Sequence, residues 1–265
     1  MRARMAEWQT RQFEGLLGDE PVRVQIPLLA PLCKVAPKGS YPEGAPVENN
    51  MSKLKVNKDF FNKWSPTMSY ILGFIFADGC LVEHKNGYHG LDITSKDLKH
   101  LRLIKEQLKS EHKIGKKERG YRIQIRNRNI YNALIGLGLT SRKSKTIKFP
   151  KIPIRYFFHF IRGLFDGDGS VFIWKEPRWR HTWQIRTTFC SGSLEFIKGL
   201  RRELFKNAGL SEGYLRRGSR IMELGYAIAD SLKLYKFIYN RNSNLYLERK
   251  RKIFEAFVAD QKISR

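Results

Sequence analysis

The sequence has few acidic residues. Its 265 residues include 25 Asp and Glu against 50 Lys and Arg, which gives a formal net charge of +25. The first 50 residues hold as many acidic as basic residues, so residues 51–265 carry the whole excess. A folded domain with this much positive charge repels itself unless it binds a polyanion. Nucleic acid is the leading candidate, because basic groups displace the counterions condensed on its phosphates.

Long uncharged hydrophobic runs are also lacking. No run approaches the roughly 18 residues that a transmembrane helix needs, and the N-terminus lacks the pattern of a secretory signal peptide. We therefore expect a cytoplasmic protein, in a bacterial cytosol or an organelle, with no membrane partner. The absence of CxxC pairs and of Cys/His clusters excludes the usual zinc sites.

The segment 1–50 has two interpretations. Residues 31–50 are rich in Pro and Gly without periodicity, which is typical of a disordered leader. Residues 5–8 and 24–27 resemble an in-frame translation of a transfer-RNA gene, which favours a mis-assigned start and a true start at Met51.

One short pattern occurs twice, as ILGFIFADG at 71–79 and as IRGLFDGDG at 161–169. Each copy predicts a buried helix that ends at an Asp-Gly pair. Ser65-Pro66 suits the start of the first helix, as N-cap and first helical residue. The helices that follow share their apolar spacing, with Leu98, Leu101, Ile104 and Leu108 in one copy and Leu194, Ile197, Leu200 and Leu204 in the other. This agreement indicates an internal duplication.

The repeated motifs provide a reason for two carboxylates to meet. Gly73 and Ala77 lie four residues apart, as do Gly163 and Gly167. Small residues at this spacing let two helix backbones approach closely, which would bring the helix ends at 78 and 168 together. The glycines that follow permit a left-handed or tight helix end.

Asp78 and Asp168 are therefore predicted to bind metal. Acids at helix C-termini oppose the macrodipole by roughly 0.3–1 kcal/mol, and adjacent carboxylates repel each other. Two divalent cations about 4 Å apart would relieve both effects and suit phosphodiester hydrolysis. Asp166 is interpreted as an ion-pair partner of Arg162, because the first copy has Phe76 at the same place.

Two polar strand faces are predicted to contact DNA. Side chains alternate along a strand, so each strand directs one polar set away from the core, namely Arg122, Gln124 and Arg126 in the first half and Gln184, Arg186 and Thr188 in the second. Arg and Gln are favoured partners of guanine and adenine, although a solvated sheet face would alternate in the same way. Three basic residues of the hairpin 175–182 are expected to contact the DNA backbone: Lys175, Arg178 and Arg180.

The two motifs resemble those of the LAGLIDADG homing endonucleases, in the single-chain form with two motifs. The second copy is the more specific match, and the first departs at Leu72 and Phe76. The resemblance implies an α+β fold of two pseudo-symmetric αββαββα halves with saddle-like antiparallel sheets that bind DNA. We assign the halves to residues 51–150 and 151–265.

The resemblance also implies a mechanism. Asp78 and Asp168 would be metal ligands and catalytic residues, with Mg²⁺ as cofactor and Mn²⁺ as a possible substitute. The family's basic active-site residues correspond to Lys143 and Lys250. The expected activity is double-strand cleavage across the minor groove, with 3′ overhangs, by a monomer acting at a long non-palindromic target. The alternatives are a catalytically silent DNA-binding regulator and an intron RNA maturase.

Overall fold

The structure is a computed structural model that describes residues 54–83, 89–141, 143–176, 182–219, 221–239 and 245–263. Its first half contains α1 (Pro66–Asp78), β1 (Gly79–Glu83), β2 (His89–Ser95), α2 (Leu98–Gln107), β3 (Ile114–Lys117), β4 (Gly120–Ile125), α3 (Arg128–Gly136) and α4 (Lys143–Thr146). Its second half contains α5 (Ile154–Asp168), β5 (Ser170–Glu176), β6 (Thr182–Ser191), α6 (Leu194–Ala208), β7 (Tyr214–Arg217), β8 (Met222–Tyr226), α7 (Ile228–Tyr239) and α8 (Glu248–Ile263).

The two halves repeat one topology. Each has a four-stranded antiparallel sheet, ordered β1-β2-β4-β3 in the first half and β5-β6-β8-β7 in the second. The prediction of an α+β fold with two αββαββα halves is confirmed. The N-cap prediction also holds, because the Ser65 side chain accepts a hydrogen bond from the Met68 amide at 3.1 Å. The helix α5 follows Pro153, where no side chain provides a capping bond.

The core lies between the helices and one face of each sheet. The alternation predicted for the strands is observed: Ile123, Ile125, Ile185 and Phe189 are at most 2% exposed. The helix α1 is buried from Met68 to Ala77 because it packs along α5. Within the described ranges, no helix is long and apolar enough to cross a membrane.

Candidate active site and nucleic-acid face

The α1–α5 seam depends on glycine. A Cβ added to Gly163 would collide with the backbone of α1, at the Tyr70 carbonyl oxygen and 2.9 Å from the Phe74 nitrogen. A Cβ on Gly73 would collide with the Phe160 carbonyl oxygen of α5 in the same way. The small residues therefore let two helix backbones touch, as the spacing predicts.

The seam brings the two motif ends together. Asp78 Oδ2 lies 3.6 Å from the position that a Cβ on Gly167, the neighbour of Asp168, would occupy. Both aspartates are half-buried, and each ends its helix just before the first strand of its own sheet. Among the described residues, no group of three or more His, Cys, Asp or Glu could hold a metal ion. A cation at this place would therefore need oxygen atoms from backbone, water or substrate in addition to the two carboxylates.

The glycines that follow the aspartates differ from the prediction. Gly79 has φ −92° and ψ 160°, and Gly169 has φ −71° and ψ 154°, so both are extended rather than left-handed. Their lack of a side chain matters for a different reason. A Cβ on Gly79 would lie 2.8 Å from the Ile75 carbonyl oxygen, and one on Gly169 would lie 2.5 Å from that of Phe165. The requirement is for space at the helix end.

Lys250 lies beneath the end of α5. The residue is 1% exposed, and its Nζ is 2.5 to 3.1 Å from four carbonyl oxygens, those of Phe165, Asp166, Gly167 and Gly169. Burial, together with the nearby charge of Arg249, lowers the pKa of Lys250 to about 7, although nearby carboxylates oppose this shift. Those carboxylates include Asp78 and Asp168, so both aspartates act on one amine. Lys250 thus touches the backbone that carries Asp168.

The side chain of Lys143, the other predicted basic residue, lies outside the described residues, although its backbone begins α4. Its role as an active-site residue stays a prediction.

Asp166 is a buried hydrogen-bond acceptor, 1% exposed. Its carboxylate accepts from the Tyr70 hydroxyl at 2.7 Å, from the Leu247 amide at 2.8 Å and from the Tyr239 hydroxyl. The Tyr70 hydroxyl also lies 3.1 Å from His100 Nε2. Asp166 therefore joins α5 to both α1 and the start of α8. Sequence reasoning assigned Asp166 only to Arg162, because hydroxyl and amide donors from distant segments leave no local signal.

Arg162 has several further contacts. It is 1% exposed, and it donates to the Leu245 and Ile238 carbonyl oxygens at 3.1 and 3.0 Å. Its Nη2 lies 2.8 Å from His159 Nδ1. Arg162 thus fastens α5 to the segments around α7.

The polar strand faces lie where the alternation places them. Arg122 and Gln124 face away from the core on β4, and Gln184 and Arg186 do so on β6, all partly exposed, while Arg126 is exposed just beyond β4. Aromatic and acidic neighbours on these faces were not predicted: Asp92 pairs with Arg122, and the Trp174 and Tyr214 rings lie 5.2 and 5.9 Å from the Arg186 guanidinium.

Four predicted contacts differ from the expectation or lie outside the described residues. Thr188 shares the face of Arg186 but is only 2% exposed, so its side chain is covered in this conformation. Lys175 pairs across the sheet with Trp183, and its Nζ lies 5.1 Å from that ring, on the face opposite Gln184. Arg178 and Arg180 lie outside the described residues.

The fold defines a class of protein in which two duplicated halves meet along paired helices. No protein-family model matches the sequence, and no curated protein matches it. Solved structures do. The LAGLIDADG meganuclease I-AabMI, bound to uncleaved DNA, matches with a TM-score of 0.55 and 15% identity over 76% of this chain and 91% of that chain.

I-SmaMI, bound to an uncleaved DNA target in the presence of calcium ions, matches with a TM-score of 0.51 and 13% identity, over 74% of this chain and 90% of that chain. At these identities the likeness establishes the fold. The chain has the fold of the LAGLIDADG homing endonucleases.

Proposed function

We propose that this protein is a site-specific endonuclease that cuts both strands of a long, non-palindromic DNA target by divalent-metal-dependent hydrolysis. The observation that carries the proposal is the close approach of the two motif ends at the α1–α5 seam, where Asp78 Oδ2 lies 3.6 Å from the Cβ position of Gly167, the residue before Asp168. A pair of helices with a purely structural role would not need an acid at each C-terminus, because each acid opposes the helix macrodipole there.

The donor set fits Mg²⁺, with Mn²⁺ as a substitute. Mg²⁺ binds through one or two carboxylates together with water and phosphate oxygens, and the seam offers two half-buried carboxylates. When bound, divalent cations supply an activated water and a counter-charge for the leaving oxygen. The structure of I-SmaMI with DNA in the presence of calcium ions supports a divalent cation as the cofactor of this chain.

The protein's own residues have separate roles in the proposal. Asp78 and Asp168 would hold the cations, one aspartate for each DNA strand. Lys250 fixes the backbone of Asp168 through the carbonyl oxygens at the end of α5. Lys143 is the candidate for the corresponding basic group of the first half. One chain contributes both aspartates, which supports a monomer as the active unit.

DNA would lie on the two polar strand faces. We call this surface the DNA face. It consists of four partly exposed side chains on β4 and β6 and one exposed side chain just beyond β4: Arg122, Gln124, Gln184, Arg186 and Arg126. The DNA-bound state of both matched meganucleases and the net charge of +25 support duplex DNA as the partner. Because the two halves present different residues, the target would lack a palindrome. Cleavage across the minor groove would leave 3′ overhangs.

The decisive experiment combines binding and cleavage. A duplex target is selected from a randomised library by binding, and a plasmid carrying it is incubated with Mg²⁺. Wild type should linearise the plasmid, and Asp78→Asn or Asp168→Asn should lower the rate at least about 100-fold while binding persists. Asp59→Asn is the matched control, since Asp59 is exposed and lies outside both motif helices.

Three outcomes would contradict the proposal. Equal cutting by wild type and both aspartate variants would remove the mechanism. Tight sequence-specific binding by wild type without cutting would favour a catalytically silent regulator, and preferential binding of structured intron RNA would favour a maturase.

A further inference from the structure

The DNA face of the first half contains an ion pair. Arg122 on β4 and Asp92 on β2 point to the same side of the sheet, since Asp92 is opposite Gln124 and Thr94 is opposite Arg122. Arg122 Nη2 contacts Asp92 Oδ2. The side chains are 27% and 12% exposed, respectively, so the pair is partly withdrawn from water. Asp92 is therefore a carboxylate placed within a surface that the proposed function gives to DNA.

The fold itself does not require this pair. In the second sheet, Thr188 is opposite Gly225 and Cys190 is opposite Glu223. When the two sheets are compared by register, Thr188 is therefore equivalent to Asp92, and Glu223 is equivalent to Arg122. The arginine of the second DNA face, Arg186, lies against the rings of Trp174 and Tyr214 instead. The same fold thus holds one arginine with a carboxylate and another with aromatic rings.

The pair fixes Arg122 without using all of its donors. Among the described atoms, Arg122 Nε is buried without a hydrogen-bond partner, so it is out of reach of a base. Nη2 contacts the carboxylate, and the donors available to a base are the remaining N–H groups of the two terminal nitrogens. Next to Arg122 on β3, a Cβ at Gly115 would meet only backbone at 4.0 Å, so space is open there. A planar guanidinium with donors to spare and a fixed orientation suits a base edge, which needs two donors in one plane.

We propose that Asp92 is a specificity-determining residue of the DNA face. It aims the guanidinium of Arg122 at one base pair and keeps that charge from moving to a phosphate. An arginine released from its carboxylate gains affinity for every duplex, because phosphate contact does not depend on sequence. The carboxylate also repels phosphates that approach out of register. The inference rests on the proposed DNA-binding function and is independent of cleavage.

The test measures binding without Mg²⁺. Wild type, Asp92→Asn and the exposed control Asp59→Asn are each used to select targets from a randomised duplex library, and affinities for the selected target and for a random duplex are measured from low to high salt. For Asp92→Asn we expect tighter binding to random duplex, a salt slope steeper by about 0.9 for the added phosphate contact, and about tenfold weaker preference at one base pair in one half of the target.

A second variant assigns the effect to Arg122. Asp92→Asn combined with Arg122→Gln should lose the gain for random duplex, because the released charge is gone. The proposal is overturned by unchanged base preference in Asp92→Asn, by weaker binding to both duplexes, or by a gain that survives in the double variant. If wild type selects no sequence at all, the proposed function fails instead, whatever Asp92 does.

Discussion

The two halves connect across the seam with different chemistry. Two residues before Asp168, Asp166 accepts a hydrogen bond from Tyr70, which meets His100. The duplication relates this trio to three phenylalanines, Phe76, Phe160 and Phe196. Phe76 packs on the rings of the other two, with centroids 5.5 and 6.2 Å apart.

The comparison distinguishes a property that both trios share from one that only the polar trio has. Both trios fill the same position beside a motif helix, and both are buried, so burial is the shared requirement. The polar trio also makes directional hydrogen bonds, because its hydroxyl and its carboxylate each have a defined partner. An apolar trio stabilises by area and shape alone. The glycine seam between the trios is the part that both halves share.

The largest effect is expected at the shared seam. Gly163→Ala and Gly73→Ala each place a methyl group against the backbone of the partner helix, so each should lower the free energy of unfolding by about 4 kcal/mol. Urea denaturation measures it. Gly136→Ala is the control, because Gly136 ends α3 with nothing within 4 Å and should change stability by less than about 1 kcal/mol. A small loss at only one of the two seam glycines would show that the halves do not share this contact equally.

The next effect distinguishes the trios. Asp166→Ala leaves two tyrosine hydroxyls and the Leu247 amide without their acceptor, which should cost about 3 kcal/mol or more. At the equivalent place, Phe76→Leu should cost only about 1 kcal/mol, because the shape is largely kept. Chemical denaturation of both variants makes the comparison. If Phe76→Leu costs as much as Asp166→Ala, the polar partners contribute little beyond packing.

Of the two trios, only the polar one should contribute a pH dependence to the stability. Burial lowers the pKa of His100 from its ordinary value of 6.5. Between that lowered value and 6.5 the unfolded chain binds more protons, so stability falls as the pH falls through this window, by at most about 1.4 kcal/mol per pH unit for one proton. His100→Phe, which copies Phe196, should remove this part of the dependence. Burial also lowers the pKa of His112, but His112 is present in both proteins, so the difference between the two stability profiles isolates His100. Parallel profiles would contradict the assignment.

The smallest effect concerns how the motif helices begin. Ser65→Ala removes the capping bond to Met68 and should cost about 1 kcal/mol. At the start of α5, Pro153 provides no side-chain capping bond, so Pro153→Ala has no such bond to remove. Thermal midpoints of the two variants compare the helix starts, and an Ser65→Ala protein as stable as wild type would mean that water replaces the serine.

Local pattern was sufficient for much of the fold. Hydrophobic spacing predicted the helices that begin at Leu98 and Leu194, and the small residues at 73, 77, 163 and 167 predicted the seam, since both signals depend only on nearby residue types. The short strand β3 was not singled out, because its one partly buried residue, Ile114, gives no alternation.

The supports of the site could not be predicted in the same way. Lys250 and the carbonyl oxygens it meets are separated by more than 80 residues, and backbone carbonyls carry no residue signature. The pair of Asp92 with Arg122 depends on the register between β2 and β4, which the sequence leaves open. Glycine at 79 and 169 was predicted as a helix end, but the reason, a close carbonyl oxygen, requires the packed structure.

The amine of Lys250 has a consequence for how the chain reaches its folded form. Four carbonyl oxygens at the end of α5 converge on this single nitrogen, an arrangement that resembles the oxygen shell around a small cation. The helix thus carries an internal counter-ion at the end where its dipole is negative. We therefore expect the backbone beside Asp168 to take its shape without a soluble ion.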